Sequence, residues 1–89
     1  MTADEIMDLV RMLASANTTL WKEEVLPGVI VSTVSLAWPD GPDEDMFFET
    51  MVFGGPHHHE WVEQYRAQDE AQAGHARMCQ RLRDEVGND

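Results

Sequence analysis

Residues 26–38, LPGVIVSTVSLAW, restrict the fold of this chain more than any other stretch. Pro27 and Gly28 suit the two central positions of a type II turn, one fixing φ and the other permitting a positive value. The β-branched residues behind them favour an extended strand. Residues 20–25 then supply the shorter partner of a hairpin, with a helical turn there as the alternative. Residues 39–45, PDGPDED, form a loop by composition. A further strand over 46–53 is stopped by Gly54-Gly55-Pro56, and residues 60–65 suit a fourth, with Trp61, Glu63 and Tyr65 on one side.

Helical spacing brackets this β region. Thr2 and Glu5 fit a capping box, and Ile6, Leu9, Val10 and Leu13 repeat on one helical face as far as Asn17. From Gln68 to Val86, Ala71, Gly74, His75, Met78, Leu82 and Val86 share a face, while Arg77, Arg81 and Glu85 lie away from it. The expected fold is α+β: a three- or four-stranded antiparallel meander over 20–65. A helix over 1–17 and another over 68–86 pack on one face of it. Chains of 89 residues form one domain with a thin core, so residues 1–89 favour work by surface contact over a deep substrate cavity.

VSTVSL (31–36), FETMVFGG (48–55), Tyr65 and EAQAGHARM (70–78) together resemble a family of short uncharacterised phage and prophage proteins, mainly actinobacterial. That family shares a strand reading ETMVFGG and a helix containing AGH, and the resemblance covers roughly residues 29–82. The family usually places Ser or Thr after the tyrosine, where this chain has Arg66. The acidic loop, the N-terminal helix and the triple histidine also depart from the pattern. The resemblance implies a phage-related origin and carries no activity with it.

Charge narrows the partners. Seventeen acidic residues against six basic ones leave a net charge of -11. Such a chain repels phosphates, which argues against nucleic acid and anionic membranes. Basic protein surfaces, cations or a second copy remain, with simple solubility as the bland explanation. Cys79 is the only cysteine, so no internal disulfide forms. MTADEIMDLV lacks the positive charge of a signal peptide. These features point to the cytoplasm, which for a phage-encoded protein is that of the host.

Several residues invite chemistry. His57, His58 and His59 are adjacent, so in an extended segment they alternate in direction and suit a solvated turn. His75 and Cys79 have the i, i+4 spacing of two ligands on one helical face, or of a thiol and its base. No further ligand pair accompanies them, and Cys79 borders the apolar stripe. No metal, cofactor or catalytic residue is therefore expected, and the chain reads as no enzyme. A small metal-dependent or cysteine enzyme is the weakest alternative.

Strand alternation puts Phe47, Glu49, Met51 and Phe53 on one face and Phe48, Thr50 and Val52 on the other. Two helices cover one side, leaving large apolar groups on the other for a partner or a homodimer. Glu49 is then a polar contact within that patch, or a carboxylate bonded internally to Tyr65, His75 or a backbone amide. The expected function is binding, as an accessory protein, with inhibition of a nucleic-acid-handling or defence complex as its concrete version. Asp40, Asp43, Glu44 and Asp45, extended by Glu60 and Glu63, would mimic phosphates in a basic groove. The alternative is a homo-oligomeric assembly factor.

Overall fold

The computed structural model describes Thr2 and residues 17–87. The expected N-terminal helix falls on residues outside those described, apart from its two ends. The rest is a four-stranded antiparallel meander and one helix. The elements are β1 (Thr18–Leu26), β2 (Val29–Asp40), β3 (Met46–Phe53), β4 (Val62–Tyr65) and α1 (Gln68–Gly87). The strands lie in sequence order, with β1 and β4 at the edges.

Turn chemistry sets the first hairpin. Gly28 has φ +75°, the value a type II turn needs at its third position. Leu26 then pairs with Val29. Gly54 serves a different end: a Cβ there would collide with the Gly28 carbonyl oxygen, so the β1–β2 turn and the end of β3 touch through bare backbone. β2 runs on through Pro39 and Asp40 instead of stopping at residue 38. Its pairing with β3 is irregular between Ser35 and Asp40, and proline, which lacks an N–H, is tolerated in such a break.

α1 lies on the face carrying Val29, Val31, Thr33, Thr50 and Val52. Ala71, Gly74, Met78, Cys79 and Leu82 form its buried stripe. The apolar cluster comprises Val29, Val31, Val52, Met78, Cys79 and Leu82, with Val25, Leu26 and Trp61 packed at its margin. At Gly74 the helix comes close to the sheet: a Cβ would meet the Tyr65 ring and hydroxyl. Val86 departs from the expected stripe. Leu82 is the last covered residue, and Val86, one turn on, is 53% exposed because the helix outruns the core cluster.

The histidine turn is packed rather than solvated throughout. His57 stacks on Trp61 at 3.9 Å between centroids, and its Nε2 lies 2.7 Å from Glu85 Oε1. Arg81 sits 3.8 Å from the Trp61 ring centroid. Arg81 and Glu85, expected to face water, thus hold the turn against α1. His58 Nδ1 accepts a bond from the Gly54 amide, and His58 stacks on His59. Among the described residues no helix is long and apolar enough to cross a membrane.

Candidate functional site

The two faces of the sheet present different candidates. Opposite α1, β2 contributes Ile30, Ser32 and Val34, cross-paired with Phe53, Met51 and Glu49 of β3. Val62 and Gln64 of β4 continue this face, opposite Met51 and Glu49. Phe47, Phe53 and Val62 are 44%, 38% and 40% exposed. Asn17, Thr19, Ser32, Val34, Met51 and Phe53 surround a shallow depression of about 250 Å³, with Glu49 on its wall. The alternation read from the sequence therefore puts Phe47, Glu49, Met51 and Phe53 on the face that α1 leaves uncovered.

Glu49 has neither of the side-chain partners first considered for it, because Tyr65 and His75 belong to the covered side. Gln64 Nε2 donates to Glu49 Oε2 at 3.0 Å and to Asp40 Oδ2 at 2.6 Å. The Gln64 bond, helped by the Gly41 amide, holds the Asp40 carboxyl below its ordinary range. One amide thus ties the Glu49 carboxylate to the end of β2.

The remaining acids do not form one surface. Asp40, Asp43, Glu44 and Asp45 gather at the β2–β3 connection, where Asp45 pairs with Arg66 at 2.6 Å. Asp43 and Glu44 are exposed. Glu60 lies at the other end of the eight-residue β3, roughly 23 Å away at strand rise. There it sits 3.8 Å from His57. Glu63 is on the covered side, accepting from Tyr65 Oη at 2.8 Å and lying 3.7 Å from Arg77.

Beneath α1 a line of hydroxyls crosses the sheet. Tyr65 donates to the Glu63 carboxylate, which can only accept. Thr50 and Thr33 share a 2.5 Å hydroxyl–hydroxyl bond. Thr33 Oγ1 lies 2.8 Å from His75 Nδ1, so that ring nitrogen is engaged and Nε2 is free of this line. Burial lowers the His75 pKa, against the opposing pull of the Glu23 carboxylate, and pushes the Tyr65 hydroxyl up to about 12.

His75 and Cys79 lie one turn apart on α1, and β1 brings Glu23 to them. One ligand atom from each of the three lies within 4.8 Å of the other two. The Cys79 thiol bonds to Glu23, which lowers the Glu23 pKa. Burial and this acceptor raise the thiol to about 12. Cys79 is thus a protonated donor, ill suited to act as a free nucleophile. Glu23 also faces Arg83 at 3.7 Å.

Sequence spacing finds His75 and Cys79 but misses Glu23. An extra residue in β1, between Thr19 and Trp21 in the pairing with β2, resets the alternation. Trp21 and Glu23 consequently share the covered side with Thr33 and Val31. A regular strand starting from Thr19 would turn Glu23 away. No family model, curated protein or solved structure matches this chain.

Proposed function

We propose that this protein acts by protein–protein contact, with the uncovered sheet face as its contact surface and a second copy as the occupant. The observation that carries this is the placement of Phe47, Met51, Phe53 and Val62 together on the face opposite the helix. Lys22 and Glu24 of β1 flank that face near Ser32 and Ile30, while Glu49 lies further along β3. A two-fold axis over such a surface allows its basic and acidic positions to meet in pairs. Each large apolar side chain fully desolvated there contributes about 1.5–3 kcal/mol, so a few offset a substantial part of the association cost.

In the dimer the β2–β3 connections remain available for a basic partner. Asp43 and Glu44 are exposed and make no side-chain pair among the described residues. With a net charge of -11, they support a second reading: an accessory protein of the phage type that occupies a basic groove through its carboxylates. The groove would belong to a nucleic-acid-handling or defence complex.

Sedimentation across a concentration series tests the first reading. The parent chain should dimerise, and Met51→Lys should shift it to monomer with its circular dichroism unchanged. A parent that stays monomeric at high micromolar concentration overturns it. The second reading is tested on a captured partner: binding should weaken steeply with added salt and with Asp43→Asn and Glu44→Gln together. Salt-insensitive binding speaks against it.

A further inference from the structure

We propose that Glu23, His75 and Cys79 form a binding site for a divalent cation of the zinc class. This site lies on the opposite side of the sheet from the proposed dimer surface and stands independently of it. The donor set, one thiol, one imidazole and one carboxylate, is the mixture of sulfur, nitrogen and oxygen that zinc accepts. Among the described residues it is the one group of three or more potential metal ligands that converges.

The three atoms lie within 4.8 Å of one another. Zinc bond lengths of about 2.0–2.3 Å in a tetrahedron put ligands about 3.3–3.6 Å apart, so closure requires a shift of about 1 Å. Glu23 can provide it. It is exposed on the edge strand β1, and its Arg83 contact at 3.7 Å is a loose one.

His75 is already oriented. Metal-bound histidines hold their second ring nitrogen in a fixed hydrogen bond, and His75 Nδ1 is held 2.8 Å from the Thr33 hydroxyl, itself anchored through Thr50. The free Nε2 is the nitrogen left for the cation. On binding, the Cys79 Sγ–H bond breaks, its proton leaves to solvent, and the thiolate pair forms the sulfur–metal bond. Glu23 exchanges the thiol proton it accepted for the metal. Three protein ligands leave one tetrahedral position for water, on the side of the open cleft bordered by Leu20, Trp21 and Lys22.

Cobalt(II) titration of the full chain, read by absorption, tests the site. One equivalent should produce a thiolate-to-cobalt charge-transfer band together with the intense visible bands of four-coordinate cobalt, and zinc should displace both. Cys79→Ser should abolish the charge-transfer band. Glu23→Gln, an exposed change that leaves the fold intact, should weaken binding by more than the about 10–100-fold typical of losing an outer partner. Replacing His57, His58 and His59 by serine together should leave the bands in place. The proposal is overturned if the parent shows no charge-transfer band. It is equally overturned if Glu23→Gln binds as tightly as the parent, or if the serine triple variant alone removes cobalt.

Discussion

The sheet face beneath α1 carries Val31, Thr33, Thr50 and Val52, all at 0% exposure. The opposite face carries Ile30, Val34, Met51 and Phe53, which stay half-buried or exposed. Two threonines are fully buried while Ile30, Met51 and Phe53 are not, the reverse of the usual preference. Two consequences follow. The covered face uses small side chains because α1 approaches closely at Gly74, and its hydroxyls are tolerable because they hydrogen-bond to one another. On the proposed dimer reading, the uncovered face keeps its bulk for a second copy to bury.

Adjacent residues of β3 give the strongest test of that contrast. Val52→Lys should cost about 3–5 kcal/mol, since it leaves an uncompensated charge in the core. Met51→Lys, one residue away, should change monomer stability by about 0.5 kcal/mol or less, measured by denaturant titration at low concentration. Comparable losses would mean that both faces are structural and that the uncovered face has no separate role. A leucine at Gly74 is next in size. With the Tyr65 ring occupying the space a Cβ would need, Gly74→Leu should lower stability by about 1–3 kcal/mol. An unchanged melting temperature would show that the helix can lift off without loss.

The hydroxyl line provides a finer test of the covered face. Thr50→Val keeps the shape but removes the hydroxyl partner of the buried Thr33, at a cost of about 1–3 kcal/mol. It also bears on pH. The Tyr65 pKa is raised from 10.0 to about 12 in the folded chain. The unfolded chain therefore loses this proton first. The stabilisation is complete below pH 10 and disappears as pH rises through 12. Tyr65 is the sole tyrosine, so tyrosinate absorbance follows it directly. A midpoint near 10 in the folded protein would contradict its burial.

The sequence made the elements legible where local chemistry dictates them. Pro27-Gly28 marks the first turn, the alternation of residues 46–53 separates the two faces, and the spacing of Ala71, Gly74, Met78 and Leu82 identifies the buried side of α1. Features produced by irregularity were not legible. The extra residue in β1 that brings Glu23 towards His75, and the pairing break that carries β2 through Pro39, leave no local signature. Glu49 was placed on the right face, yet its partner Gln64 depends on the register of β3 against β4. The separation of Glu60 from the acidic loop also follows from strand direction, which composition does not encode.

The smallest predicted effect lies at the edge of the covered face, in the histidine turn. As a solvated loop, its three histidines would be interchangeable, and replacing any of them would cost nothing. Packing distinguishes them. The His57 side chain is 20% exposed and joins Glu85, while its ring stacks on Trp61. His58 is exposed, stacks on the likewise exposed His59, and accepts one bond from the Gly54 amide, which water can replace. His57→Ser should therefore cost about 0.5–1.5 kcal/mol, the range of an aromatic pair beyond its area. His58→Ser should stay within about 0.5 kcal/mol. Chemical denaturation of the two variants side by side resolves this difference. Equal losses would mean that the stack on Trp61 adds nothing, and that α1 holds the sheet without help from the turn.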